Sequence, residues 1–289
     1  MASAANNLRG ATWIVGSAVV ATIMSSGIHE LAGSIHSAQA VFIRGVIGSL
    51  LILAFWLPHS DFSIRTKRLK QHIVRGVIGV VAINLGFYSV QILPLATVTA
   101  LFFTTPLFVT ALSVPMLKEK VGIRRVMASI IGFLGAMLVI GYLPEPLSIK
   151  WFAPIFASVA FSLTLVTGKQ LSSTERPGTI VLYFSTILAL GSLPPAIIVW
   201  QNPSLTEWGL LTMIATMSSL RNYMDVRAYA MGDAQFVSPF LYTRIIFMVI
   251  AGYFLFDEIP QISALIGASI IIMSTLYILH REVKIGRRQ

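Results

Sequence analysis

Charged residues stand in the middle of long apolar runs of this 289-residue chain, where a charge is costly. They are Arg44, Arg221, Asp225 and Arg244. A charged side chain at the centre of a bilayer-spanning helix costs at least about 2.5–3.5 kcal/mol, so it persists only with a partner, a water-filled cavity or a function. Such residues could bind a polar small molecule, or carry a proton, inside an apolar matrix.

Arg221 and Asp225 are four residues apart, so a helix places both side chains on one face. Two interpretations stay open at this point. In the first, the two charges form an internal ion pair that neutralises itself. In the second, Asp225 is a coupling or gating group, because carboxylates inside membranes often relay protons.

Arg244 has no acidic residue within helical reach along its own segment, so it needs a partner from another helix or from a ligand. Arg44 either faces a ligand or extends its long side chain to the lipid headgroups. Three arginines against one carboxylate favour a ligand that is anionic, zwitterionic or a polar heteroaromatic ring. Arg44, Arg221 and Arg244 are therefore candidate substrate-binding residues.

Three tyrosines complete the candidate binding site. Tyr88, Tyr183 and Tyr242 could line the same cavity and stack on a ring or donate a hydrogen bond. Tyr183 occupies the position equivalent to Arg44 in the second half of the chain. The alternative is that these rings pack or anchor the helices at the membrane interface, which is the commoner use of aromatic residues in membrane proteins.

The composition excludes several classes of protein. Hydrophobic residues make up 56% of the chain and charged residues 11%, whereas a soluble domain has about 25% charged residues. The absence of cysteine excludes disulfides and thiolate metal sites. The five histidines fall in predicted loops or at helix ends, and His29 with Glu30 gives too few ligands for a metal. No cofactor, metal or nucleic acid is expected, despite the net charge of +10.

The apolar runs predict ten membrane-spanning helices, since each needs about 20 mostly apolar residues. The spans lie near residues 10–28, 38–57, 74–92, 97–117, 126–142, 150–169, 178–199, 207–229, 235–256 and 262–280. If the N-terminus is cytoplasmic, most of the 21 Lys and Arg, including Arg75, fall in cytoplasmic segments, and Lys150 falls in an external loop. An all-α integral membrane protein with both termini in the cytoplasm is therefore predicted.

The two halves of the chain repeat one another when the sequence is shifted by 139 residues. Leu117-Lys118-Glu119 then falls on Phe256-Asp257-Glu258, and small residues of the fifth span fall on small residues of the tenth. Five helices per half is an odd number, so the second half must be inverted in the membrane. Residues 1–148 and 149–289 are predicted to be two inverted five-helix repeats, with a binding site between them near the midplane.

Several segments in this order resemble the EamA branch of the drug/metabolite transporter superfamily. They are Ala40-Val41-Phe42-Ile43-Arg44, Leu93-Pro94-Leu95-Ala96, Leu117-Lys118-Glu119-Lys120 and Phe256-Asp257-Glu258. The resemblance implies a secondary transporter that works by alternating access in the cell inner membrane. The segment from Ser238 to Pro260 resembles the group that contains S-adenosylmethionine and riboflavin importers.

The resemblance implies import of a riboflavin-like or S-adenosylmethionine-like metabolite first, and efflux of an amino acid or another metabolite next. The expected partners are this substrate and the lipid bilayer, with the protein as a monomer or a homodimer. Uniport, exchange and proton coupling stay open. A membrane-embedded enzyme would need a clustered catalytic set inside the spans, and a channel-like scaffold a repeated polar stripe. Neither pattern is evident.

Overall fold

The computed structural model describes residues 3–31, 34–56, 64–92, 101–119, 122–140, 149–256 and 261–286. Within these ranges the regular secondary structure is helical, without a β-strand. The main helices are α1 (Ala4–Glu30), α2 (Ser37–Trp56), α3 (Leu69–Ile92), α4 (Thr105–Leu117), α5 (Ile123–Ile140), α6 (Phe152–Ser172), α7 (Pro177–Ile198), α8 (Leu205–Met231), α9 (Thr243–Phe256) and α10 (Ile262–Gly286).

Six of the described helical segments are long and apolar enough to cross a membrane. They are Ala4–Ser25, Ser37–Ala54, Ile149–Ser172, Pro177–Ile198, Ala234–Ala251 and Ile262–His280. This agrees with the prediction of an all-helical multi-pass membrane protein. The predicted segment Leu93-Pro94-Leu95-Ala96 lies outside the described residues, as do Asp257 and Glu258.

Some predicted boundaries were wrong. The third helix begins at Leu69 rather than near residue 74, so Arg75 lies more than a turn inside it. The first helix extends to Glu30, so His29 belongs to a helix rather than to an external loop. The predicted ninth span is not one continuous helix, because a turn at Ala234–Val237 and a 3₁₀ segment at Ser238–Tyr242 precede α9.

The helices pair in a pattern that the 139-residue shift preserves. In the bundle α1 packs on α8, and α3 packs on α6. The shift carries α1 onto α6 and α3 onto α8, so it exchanges these two pairs. The pairs α2 with α7 and α5 with α10 map onto themselves, and both are in contact. The packing therefore has the approximate two-fold symmetry of a duplicated unit.

Individual contacts follow the same symmetry at the α5–α10 interface. The Ser274 hydroxyl donates to the Ala128 carbonyl oxygen over 2.9 Å. The equivalent positions in the other half are Gly135 and Gly267, and their backbones also meet directly. Small residues are common where membrane helices approach closely, because they let the backbones touch.

The fourth helix of the first half begins at a break that local hydroxyl groups satisfy. Pro106 lacks an N–H, so it cannot bond the Phe102 carbonyl oxygen in the usual i to i−4 pattern. The Thr105 hydroxyl donates to that oxygen instead, over 2.6 Å. In the second half Pro239 lies in the 3₁₀ segment just before α9. The break in the second half directly precedes α9, which carries Arg244 in its first turn.

We expect Gly267→Ala to destabilise the fold. A methyl group there would meet the Gly135 carbonyl oxygen and lie 2.7 Å from the Val139 nitrogen, and overpacking of this kind costs about 1–3 kcal/mol. Gly209→Ala in α8 is the matched control, since its added methyl group meets nothing within 4 Å. Thermal unfolding in detergent should separate the two variants, and equal midpoints would contradict the close α5–α10 contact.

Candidate functional site

Asp225 lies at the centre of a polar cluster inside the bundle. The residue is 4% exposed, and one carboxylate oxygen accepts a hydrogen bond from the Ser17 hydroxyl of α1. Its other oxygen lies 3.7 Å from Nε of Arg221, one turn earlier on α8. The predicted pairing of Arg221 with Asp225 is therefore confirmed, and Ser17 joins it from a neighbouring helix.

Arg244 reaches the same cluster from the first turn of α9. Its Nη2 donates to the Ser25 hydroxyl of α1 over 2.7 Å. Among the described residues, its buried Nε finds no hydrogen-bond partner. The charge of Arg244 interacts with those of Arg221 and Asp225. The sequence prediction that Arg244 needs a partner from another helix is met only in part, by a neutral hydroxyl.

Arg44 is the least satisfied arginine of the cluster. It lies on α2, partly buried, and its charge is repelled by that of Arg221. Within the described part of the chain it forms neither a hydrogen bond nor an ion pair. A guanidinium has five N–H donors, and those of Arg44 meet no acceptor in the described part of the chain. The side chain is therefore suited to accept an anionic or electron-rich ligand.

Arg75 belongs to the buried core of the bundle. The residue is 3% exposed. It donates to the carbonyl oxygens of Thr164 and Ile180 over 3.0 and 3.4 Å, and to the Asn222 side chain over 3.3 Å. Its guanidinium also lies 4.5 Å from the Phe184 ring centroid. Arg75 thus joins α3 to α6, α7 and α8.

The sequence does contain a signal for this role. Gly168 lies beside the guanidinium, and a Cβ at that position would come 3.2 Å from Nε of Arg75. A glycine on the facing helix therefore makes room for the arginine. Because α3 begins at Leu69 and not at its most apolar stretch, Arg75 lies within the helix and inside the bundle.

The cluster carries a net positive charge among the described residues. Asp225 interacts electrostatically with Arg221, Arg244 and Arg75, and Arg44 interacts with Arg221. Three arginines thus act on one carboxylate and a fourth interacts with one of the three, in a region of low dielectric constant where charge interactions are stronger than in water. The arrangement attracts an anionic group and disfavours a purely cationic one.

The Tyr183 side chain contacts Ile64 and His72 rather than Asp225. Its hydroxyl donates to the Ile64 carbonyl oxygen over 2.8 Å, and its ring stacks on His72 with 4.5 Å between centroids. His72 lies in the first turn of α3, at a helix end as expected, and is 1% exposed. The described contacts place neither ring in the arginine cluster.

Tyr242 and Tyr88 occupy very different surroundings. Tyr242 is fully buried, packs against Gly132 of α5, and has its ring centroid 6.2 Å from that of Phe103. Its hydroxyl finds no hydrogen-bond partner in the described residues. Tyr88 is 52% exposed, and no described contact joins it to Asp225. The cavity roles of these tyrosines stay predictions.

We expect Arg75→Met to destabilise the protein by about 3–5 kcal/mol, because buried polar groups on α6, α7 and α8 lose their charged donor. Lys67→Met removes a positive charge from an exposed position of the preceding segment, so its thermal midpoint should stay near that of the parent. Thermal unfolding in detergent measures both variants. If Arg75→Met were as stable as Lys67→Met, Arg75 would not join these helices.

The chain matches a family model and resembles proteins of assigned function. The EamA-like transporter family model matches residues 8–141 and again residues 149–280. An S-adenosylmethionine uptake transporter of Rickettsia bellii is 29% identical over 275 residues, covering 95% of this chain and 94% of the relative. A riboflavin transporter of Vibrio cholerae is 29% identical over 287 residues, covering 98% and 96%.

A solved crystal structure shows the same fold. It aligns with a TM-score of 0.79 at 14% identity and covers 94% of this chain and 96% of that chain. The family model occurs once in each half of the chain, as the repeat in the sequence predicts. This multi-pass membrane protein belongs to the EamA-like transporter family and not to an enzyme family.

Proposed function

We propose that the protein is a secondary transporter that imports a small organic metabolite through the inner membrane by alternating access. The substrate is an anion, a zwitterion or a polar heteroaromatic molecule. One observation carries the substrate class: the charges of three arginines act on the Asp225 carboxylate inside the bundle, and a fourth, Arg44, interacts with Arg221. Arg44 and the Nε of Arg244 lack acceptors in the described chain.

The proposed topology has ten spans, with both termini in the cytoplasm. Six described segments already have the length and composition of spans, and the helix pairs obey the repeat. Units 1–148 and 149–289 would then be inverted relative to one another, because each contains five helices. The placement of most Lys and Arg on one side supports this orientation.

In the proposed site, Arg44 and Arg244 hold the acidic or electron-rich group of the substrate. The planar guanidinium suits a carboxylate or phosphate, since it can donate two parallel hydrogen bonds. Arg221 is neutralised by Asp225 and contributes to the field around the ligand. Tyr242 lies two residues before Arg244 and has a hydroxyl available to donate, so we propose it as a secondary contact.

The relatives indicate which substrates to test first. One relative is named an S-adenosylmethionine uptake transporter and another a riboflavin transporter. S-adenosylmethionine has a carboxylate, and riboflavin has a polar heteroaromatic ring, so each offers a group that an arginine can bind. We propose that the substrate of this chain comes from one of these chemical classes.

We expect purified protein in lipid vesicles to take up radiolabelled riboflavin or S-adenosylmethionine. Arg44→Met and Arg244→Met should each weaken substrate binding at least about tenfold, because each removes a hydrogen bond from a charged donor. Arg124→Met is the matched control, as it removes an exposed arginine from the start of α5. Equal uptake by the parent and all three variants would contradict the proposed site. Preference for a purely cationic ligand would contradict the proposed substrate class.

Asp225 is the proposed coupling group. Its carboxylate is buried between Ser17 and Arg221, so gain of a proton would change the charge of the whole cluster. We expect uptake by Asp225→Asn to lose its dependence on an imposed pH gradient, because an amide does not titrate. Uptake at several gradients measures this effect. Glu207→Gln is the matched control, since Glu207 is a carboxylate in the first turn of the same helix that caps its start through Ser204, outside the cluster. Retained dependence in Asp225→Asn would remove the coupling role.

A further inference from the structure

A second buried polar network lies at one end of the bundle, apart from the arginine cluster. We call it the end latch, and it consists of Asn7, Glu119, Arg125, Lys169 and Asp233. These residues come from the first turn of α1, the residue after the C-cap of α4, the first turn of α5, the last turn of α6 and the residue after the C-cap of α8. The latch therefore gathers helix ends of both halves at one level of the bundle.

Glu119 makes the central contacts of the latch. Its carboxylate accepts hydrogen bonds from the backbone N–H groups of Ala234 and Gln235, over 3.0 and 3.3 Å. The same carboxylate lies 2.7 Å from Nζ of Lys169. Its side chain is only 8% exposed. One carboxylate of the first half thus holds the start of the Ala234–Val237 turn, which leads into α9 of the second half.

The other latch contacts hold the end of α8. Lys169 also donates to the Gly232 carbonyl oxygen. The Asp233 backbone N–H donates to the Asn7 side chain over 2.8 Å, and the Asp233 carboxylate lies 3.4 Å from Nη1 of Arg125. Three helix ends are thereby fixed to the segment that joins α8 to α9. Charges buried in this way stay favourable only while their partners are in place.

A buried tyrosine follows Asp225 along the last turns of α8, before the latch residue Asp233. Tyr229 lies one turn beyond Asp225 on α8 and is 1% exposed. Its ring belongs to a buried apolar cluster that also contains Ile14 of α1 and Val109 of α4. Its hydroxyl has no hydrogen-bond partner in the described residues. The hydroxyl is therefore available to a partner that arrives when this region rearranges.

The sequence does not repeat the latch at the opposite end. Under the 139-residue shift, Glu119 corresponds to Glu258 and Lys169 corresponds to Glu30. Two glutamates cannot form the ion pair that a glutamate and a lysine form. The charges of the chain therefore distinguish the two ends of a bundle whose packing is symmetric.

We propose that the end latch is the cytoplasmic gate of the transporter, and that its opening connects the arginine cluster to the cytoplasm. This inference rests on the proposed transport function and orientation. While Glu119 holds the Ala234–Val237 turn, α8 and the start of α9 cannot separate from α4 and α6. When they separate, the latch charges are exposed to water, which compensates for their lost partners. Such a network can switch between two discrete arrangements.

The gate can be tested by cysteine labelling, because the chain contains no native cysteine. Ser238→Cys places a thiol at a fully buried position just beyond the Ala234–Val237 turn. A membrane-impermeant maleimide is added to the cytoplasmic face of inside-out vesicles that contain the full-length protein. In the otherwise unchanged protein, labelling should be slow.

Glu119→Gln and Lys169→Met should each speed this labelling at least about tenfold, because each removes a charge-assisted contact from the latch. Lys169→Arg keeps the charge and should label close to the rate of the parent. Glu175→Gln is the matched control, since Glu175 accepts a hydrogen bond from Thr66 over 2.6 Å outside the latch. A cooperative thermal transition confirms that each variant is folded. If Glu119→Gln shows no cooperative transition, the labelling rates of Lys169→Met and Lys169→Arg test the gate instead.

Equal labelling rates in the parent and the latch variants would overturn the proposal, as would equally fast labelling of Glu175→Gln. The assay uses no substrate, so its result is independent of the proposed binding site. Faster labelling combined with unchanged uptake by Arg44→Met and Arg244→Met would leave the gate in place and remove the site. Unchanged labelling combined with weakened uptake by Arg44→Met and Arg244→Met would remove the gate and leave the site in place.

Discussion

The need to pair charges inside an apolar bundle governs the centre of this protein. Asp225 is the carboxylate that Arg221, Arg244 and Arg75 share, and without it their charges would repel one another in a medium that screens them poorly. The Ser17 hydroxyl also satisfies this carboxylate, which fixes α1 against α8. The charge pairing of the cluster and the contact between α1 and α8 therefore meet at one residue.

Hydrogen bonds separate the arginines into two kinds, which charge alone cannot do. Arg75 has acceptors on three helices and an aromatic ring beneath it, so it stabilises the packing. Arg44 has no acceptor in the described chain, and Arg244 has one neutral acceptor. A buried donor without an acceptor is unfavourable in the empty protein. A ligand that supplies the missing acceptor therefore binds more tightly, because it removes this unpaired donor.

Sequence patterns predicted the features that depend on local spacing. Apolar runs gave the helical class, the 139-residue shift gave the duplication, and the four-residue separation gave the Arg221–Asp225 pair. Features that depend on distant partners were missed. Arg75 lies among polar residues at a helix start, and only the facing Gly168 and Phe184 show that it is buried. Tyr183 was grouped with Arg44 by repeat position, although its contacts are with His72 and Ile64.

The internal repeat accounts for the packing of the helices but not for the positions of the charged residues. Backbone packing follows the duplication, as is common in transporters built from internal repeats. The charged residues do not follow it, since Arg221 and Asp225 of α8 correspond to Ala82 and Gly86 of α3. Symmetric packing permits a bundle to open toward either side, and asymmetric charges decide which side is favoured when the site is empty. A substrate can shift that balance only through groups it contacts differently in the two arrangements, and unsatisfied arginines at the boundary between the halves are groups of that kind.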